Sequence, residues 1–288
     1  MTTSRRLVSK ALALACIAAT SLSCRSSLDA VNAGLHPLPQ DAGRLAAMEA
    51  AKLAVEIINE CSGFPLPWIP WSADVSVRGT AGSYRVDRQL KVGLWPNGSH
   101  LRIESVPQNR PESFVLIVSG GAAPSTTLVL DNGSRVWRGD TSAPLLAKVI
   151  GVPFEARHLE AFLRGCYPTE FGGFPTLYGD DRLLMPFGEN GRAYYQREAG
   201  NGPWRLQTLF YPGTGLEPAW RMDVFDMQAR WPRRFVVNGI ASKRLRIDMR
   251  LSNIAIASLP MTMFESKIPS TSRPISLDDI NLRRLLAP

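Results

Sequence analysis

A thiolate beside an imidazole is a nucleophile, and the sequence places Cys166 shortly after His158. That pair is the nearest approach to a catalytic couple in the chain. A structural cysteine and a surface histidine explain it better than a thiolate pair. The other histidines, His36 and His100, share no ligand spacing with His158, so a metal centre is not expected. Asp180-Asp181 and Asp278-Asp279 are adjacent acids. Neighbours in a strand or turn point apart, so these pairs read as a loop end and a helix N-terminus rather than an acid/base couple. Neither a G-x-S-x-G elbow nor a phosphate loop occurs. The inventory predicts a protein that binds rather than catalyses, with no cofactor.

Cys24 is the remaining reactive position, and its setting is different. Arg5, Arg6 and Lys10 precede an apolar run from Ala11 to Leu22, the charged and greasy parts of an export signal. The run is under about 18 residues, too short to cross a bilayer. Leu22-Ser23-Cys24 resembles the acceptor site of bacterial lipoproteins, with a small residue before the cysteine, and departs from it at Ser21. The resemblance implies a signal peptide over 1–23 and a diacylglyceryl group, with palmitate-like chains, on Cys24. A cut by an ordinary signal peptidase near Ala15 or Ala19 would instead leave the protein soluble in the periplasm. If Cys16 departs with the signal and Cys24 is acylated, Cys61 and Cys166 remain, an even remainder that suits a disulfide in an exported protein. Two buried thiols are the other reading, since spacing alone does not bring two Cα atoms within bridging distance.

The elements that must position any site come next. Hydrophobic residues make up 45% of the chain, and 22 prolines and 23 glycines break it into many short segments, which favours β structure. The net charge of +8 is spread along the sequence and is no nucleic-acid footprint. Residues 24–40 read as a tether, and 41–288 as one domain. Asp41 can cap a helix running to Cys61, with Leu45, Met48, Val55 and Ile58 on its apolar stripe. From Asp74 hairpins follow one another, with turns at Asn97-Gly98 and Asn132-Gly133; Leu101 and Ile103 point one way, Arg102 and Glu104 the other. Leu116, Leu128 and Leu130 sit on the next strands.

Helical spacing returns between Pro144 and Gly165. It sets Leu145, Leu146, Val149 and Ile150, then Phe154, Leu159, Phe162 and Leu163, on apolar faces that must cover something. The sheet then resumes to a strand in which Leu245, Ile247, Met249 and Leu251 alternate with Arg244, Arg246, Asp248 and Arg250. A bulge at Ser252-Asn253 would keep Ile254 and Ile256 inward with them. Ser276 can cap a helical turn. Arg233, Arg234, Lys243, Arg244, Arg246 and Arg250 cluster on two strands; a solvated sheet face accounts for them, and a surface for anionic headgroups or an acidic partner is the sharper reading. Trp95, Trp137, Trp204, Trp220 and Trp231 recur singly on strands, as packing residues do.

The order of these elements carries a resemblance. The stretch "LLAKVIGVPFEARHLEAFLRGCYP", preceded by "VSVRGTAG" and "GSHLRIES" and followed by "YYQREAGNGPWRLQTLFYP", resembles the LolA/LolB-type lipoprotein carrier and receptor fold. That resemblance implies an α+β architecture: a large curved antiparallel sheet, an unclosed β-barrel of about 10 to 11 strands, with an N-terminal helix and a two-helix lid. It implies a hydrophobic cavity for acyl chains, lined by Leu101, Ile103, Leu116, Leu128, Leu130, Leu245, Ile247 and Met249. The lid residues over it would be Leu146, Ile150, Phe154, Leu159, Phe162 and Leu163. Lipoproteins or their acyl chains, a periplasmic carrier protein, and the periplasmic face of the outer membrane through Cys24 are the partners it implies. The alternative is a structural or assembly lipoprotein that uses the same scaffold as a protein-binding surface. The receptor type carries an exposed leucine on an early loop; here "PQNRPES" and "SGGAAPS" hold neither leucine nor aromatic residue.

Overall fold

The computed structural model describes residues 47–62, 70–95, 100–106, 113–120, 125–140, 145–146, 149, 156–166, 172–188, 190–200, 202–213, 219–228, 231–240, 244–256, 259–265 and 268–280. Cys24, the tether and the turn at Asn97-Gly98 lie outside them. Alternation dominates the described chain, and it produces one sheet.

Fourteen strands pair in that sheet. They are β1 (Trp71–Ala81), β2 (Tyr84–Trp95), β3 (His100–Ser105), β4 (Phe114–Ser119), β5 (Ser125–Leu130), β6 (Arg135–Gly139), β7 (Thr176–Tyr178), β8 (Arg182–Phe187), β9 (Gly191–Arg197), β10 (Trp204–Tyr211), β11 (Trp220–Gln228), β12 (Trp231–Gly239), β13 (Leu245–Ile256) and β14 (Arg273–Pro274). In space they run β14-β6-β5-β4-β3-β2-β1-β13-β12-β11-β10-β9-β8-β7. Sequential hairpins build each half, and the long β1–β13 pairing joins the first half to the second. Every pair is antiparallel except the two-residue contact of β14 with β6. The sheet ends at β14 and β7 without pairing to itself, so it is an open sheet, as the resemblance implies. The count exceeds the expected 10 to 11 chiefly through β7 and β14, which are too short to display a period.

One face of the sheet is apolar across its width. Leu116, Ile103 and Val92 are cross-strand partners in one row, and Val77, Met249, Phe235 and Val224 in another. All are at most 3% exposed and belong to one continuous core. Burying a side chain of this size contributes about 1.5 to 3 kcal/mol, so this face dominates the stability. Gly79, with φ of +147°, lets β1 and β13 approach there: a Cβ would collide with the Arg246 carbonyl oxygen.

Among the described residues, two α-helices pack against the strands. Helix α1 (Ala47–Ser62) lies over β7 and β8. Its buried side is Ala50, Ala54 and Ile57, whereas Met48 and Val55 are 85% and 54% exposed. The expected stripe of Met48 and Val55 is therefore corrected: the small Ala50 and Ala54 let the helix sit close to the sheet beside Ile57, and Met48 and Val55 face away. Ile58 is half-buried and Leu45 lies outside the described residues. The second helix, α2 (Ala156–Leu163), follows helical residues Leu145, Leu146 and Val149.

The bulge expected near Ser252-Asn253 is present. Asn253 has φ of +50°, and the β1–β13 register shifts between Ser72 and Asp74. It turns Ile254 only halfway in, and Ile256 is 53% exposed, so Ile256 does not join the core as expected. Ser276 and Asp279 cap each other's backbone: the Ser276 N–H donates to Asp279 Oδ2 at 2.8 Å, and the Asp279 N–H to Ser276 Oγ at 3.3 Å. The Ser276 N–H and hydroxyl, both donating to Asp279 Oδ2, hold the Asp279 carboxyl below its ordinary range. Residues 276–280 themselves form a turn.

Candidate functional site

The apolar face needs a cover, and one stretch of chain between β6 and β7 provides it. Leu145, Leu146 and Val149 are fully buried, and Leu159, Phe162 and Leu163 of α2 are at most 2% exposed. Phe162 meets the edge of Trp220 at 6.2 Å, and Trp220 stacks on Tyr211. Among the expected lid residues, Leu146, Leu159, Phe162 and Leu163 thus lie in the core, while Ile150 and Phe154 fall outside the described residues. Among the expected sheet residues, Leu101, Ile103, Leu116, Leu128, Leu130, Ile247 and Met249 are buried beneath them. Leu245 is half-buried, because it starts β13 at the end of the sheet.

The C-terminal end of α2 is fixed by local chemistry. Gly165 adopts φ of +68°; its N–H donates to the Phe162 carbonyl and the N–H of Cys166 to the Ala161 carbonyl, both at 2.8 Å. This is a Schellman closure, which requires the left-handed residue that glycine supplies. It points Cys166 at the end of α1, where Cys61 is bonded to it with Cα atoms 5.5 Å apart. Arg164 Nη2 adds a hydrogen bond to the Cys61 carbonyl at 3.1 Å. The covering stretch is thus pinned at one end to α1.

Beside this bridge lies a pocket of about 40 Å³, lined by Ile57, Cys61, Arg164, Cys166, Tyr195 and Trp204. It holds roughly one water, whereas small-molecule sites occupy about 300 Å³ or more. This pocket is too small for a chain-like ligand.

The core face also carries a residue that sequence reasoning missed. Arg88 is 3% exposed and pairs across the sheet with Val77, between Val86 and Leu90 on the buried side of β2. The signal was available: Val86, Arg88, Leu90 and Val92 share one parity, so an arginine at that position has to enter the core. Ser105 is buried nearby on β3, donating to the Phe114 carbonyl and accepting from its N–H at 2.8 Å.

Chemistry of other kinds does not assemble. Among the described residues no group of three histidine, cysteine or acidic side chains gathers around a common point. His100 projects outward against Phe264, and its partial burial lowers its pKa below the usual 6.5. His36 and the side chain of His158 lie outside the described residues. Asp180 and Asp181 occupy the β7–β8 turn. Of the basic cluster, Arg234 and Arg250 both reach Asp248, at 2.7 and 3.4 Å, and the first contact raises the Arg234 pKa. Arg244 and Arg246 are exposed, Arg233 is half-buried, and Lys243 lies outside the described residues. The tryptophans pack as expected: Trp231 meets Trp71 at 4.9 Å, and Trp95, Trp137 and Trp204 are half-buried.

Neither a protein-family model nor a curated protein matches the sequence. Solved structures do match in fold. A LolA superfamily protein from Nitrosomonas europaea is 14% identical, with a TM-score of 0.49 over 77% of this chain and 98% of that one. A protein domain from Vibrio parahaemolyticus, provisionally described as outer-membrane lipoprotein-sorting, is 12% identical, with a TM-score of 0.48 over 76% and 97%. A DUF1329 family protein from Desulfovibrio piger gives the same identity, TM-score and coverage as the Vibrio domain. No described helix is long and apolar enough to cross a membrane.

Proposed function

We propose that this protein binds acyl chains between the apolar face of its sheet and the cover of residues 145–163, without catalysing a reaction, and that it serves lipoprotein or lipid trafficking. The observation that carries the proposal is the cover itself. It is a single stretch of chain, apolar throughout its described inner side and pinned at Cys166, so it can move away as a unit without dismantling a strand. An entering acyl chain would replace its contacts at about 0.8 kcal/mol per buried methylene, enough for a chain of ordinary length to offset the loss. In this reading Cys24 is acylated and holds the domain at the periplasmic face of the outer membrane, where a periplasmic carrier protein delivers or collects the cargo.

Native mass spectrometry of the protein purified from membranes of its own host tests this. A diacylglyceryl mass on Cys24 and a second, non-covalent amphiphile are expected. Delipidated protein should then bind a fluorescent fatty acid such as parinaric acid. Protein mass alone, with no uptake of parinaric acid, would sink the proposal. That result would favour the second reading, a protein-binding scaffold, for which the closely filled core speaks.

A further inference from the structure

The outer face of the sheet carries a feature that ligand binding on the core face does not use. Cross-strand register fixes it row by row. Thr80 of β1 pairs with Arg85 of β2 on one side and with Arg246 of β13 on the other, and Arg246 pairs with Asn238 of β12. Neighbouring strands lie about 4.8 Å apart, so the two arginines stand about 10 Å apart across a threonine hydroxyl. Both are exposed, and among the described residues neither has an ion-pair partner.

The adjoining row differs. Asp87, Arg78 and Asp248 alternate there in register, with Arg78 and Asp87 at 3.5 Å and Arg234 closing on Asp248, so its charge is balanced within the sheet. In the other direction the sheet ends. The Gly82 N–H donates to the Arg244 carbonyl at 2.9 Å, and Ile240, just after β12, is 48% exposed. The end of the sheet therefore presents Arg85, Arg244 and Arg246 around an exposed isoleucine. The described residues of these rows add no acid.

We infer that this end of the sheet docks on anionic phospholipid headgroups, with Arg85 and Arg246 meeting lipid phosphates and Ile240 entering the acyl boundary. Charge complementarity favours a bilayer: a single-signed row beside an apolar tip matches a surface with phosphate above hydrocarbon. An acidic protein would complement the arginines but leave Ile240 without a purpose. The inference is independent of what the core face binds.

The test is co-sedimentation of the full chain, unlipidated through Cys24→Ala, with vesicles of phosphatidylglycerol and phosphatidylcholine and with vesicles of phosphatidylcholine alone. Parent and variants share residues 1–46, so any contribution of the apolar N-terminal run cancels. R85Q/R246Q should weaken binding to the anionic vesicles by about 30-fold, since each arginine near such a surface contributes about fivefold. I240S should weaken it further, and roughly 1 M salt, with a Debye length of about 3 Å, should reduce parent binding to the neutral-vesicle level. A charge-matched control, K52Q/R138Q, removes two exposed cations elsewhere, one on α1 and one on β6, and should bind like the parent. The inference is overturned by R85Q/R246Q binding as the parent does, by the control losing as much, or by equal binding to both vesicle types. Failure of the parent to bind anionic vesicles would also overturn it and leave an acidic protein as the partner.

Discussion

The two faces of this sheet are built from the same strands and do opposite things. On the core face, Phe235, Val237, Ile247 and Met249 alternate inward, and no side chain among these four is more than 2% exposed. On the outer face of the same two strands stand the exposed Arg246 and, joined in a half-exposed ion-pair network, Arg234, Asp248 and Arg250. The core face can only be covered by apolar groups, whether protein or ligand. The outer face can be satisfied by water, by its own counter-charges or by an anionic surface. Stability is concentrated on one side and electrostatic tuning on the other. Asp223 is the exception that sharpens the contrast. It faces away from Met222 and Val224, yet it is fully buried, held by Arg221 at 2.6 Å and the Thr208 hydroxyl at 2.8 Å.

The contrast predicts a graded series of effects. Phe235→Ala, which empties the middle of the core face, should cost about 4 kcal/mol in chemical denaturation. A loss below about 1 kcal/mol would mean that the core face is not the seat of stability. Replacing Cys61 and Cys166 with serine opens a loop closed across a separation of 105 residues and should cost about 3 kcal/mol, with the same loss on reduction of the parent. Unchanged stability and electrophoretic mobility on reduction would remove the pin from the account. Asp223→Asn keeps the shape but leaves Arg221 without its buried counter-charge, for an expected cost of about 2 kcal/mol. Asp248→Asn, in the half-exposed network, should cost about 0.5 kcal/mol, and less in high salt. If the last two substitutions cost the same, the outer face is not divided into buried and solvated parts.

The smallest effect concerns pH. His100 has its pKa lowered below 6.5 by burial, so between the lowered value and 6.5 the unfolded chain holds more protons than the folded one. Its contribution is present in full above 6.5 and is lost as pH falls through that window. The melting temperature of the parent should therefore fall more than that of His100→Gln as the solution is acidified from neutrality. An NMR titration placing His100 at or above its ordinary value would contradict this.

How much of this was legible in the sequence depended on the length and cleanness of each period. β13 could be read residue by residue, because Leu245 to Leu251 alternates without interruption. The Asn253 bulge followed from the parity change alone, but not the depth of Ile254 and Ile256, which depends on what lies opposite them. Helix α1 was legible as a helix and misleading as a face. Its large apolar residues suggested the contact side, whereas a helix lying on a sheet gains more from close approach through Ala50 and Ala54. β7 and β14 were too short to carry a pattern. The cover was visible as apolar helical spacing, although its closure at Gly165 and Cys166 needed three dimensions. Arg88 was legible in principle from its parity, and went unread because a charge is not expected on a buried face.

The central claim is that the cover over the core face gives way to acyl chains while the strands stay paired. Hydrogen exchange of the full chain with and without saturating oleate measures this directly. The amides of α2, Ala156–Leu163, should exchange faster when oleate is bound, and those of β1, β2, β12 and β13 should be unchanged. Exchange in α2 that does not respond to oleate would contradict the account.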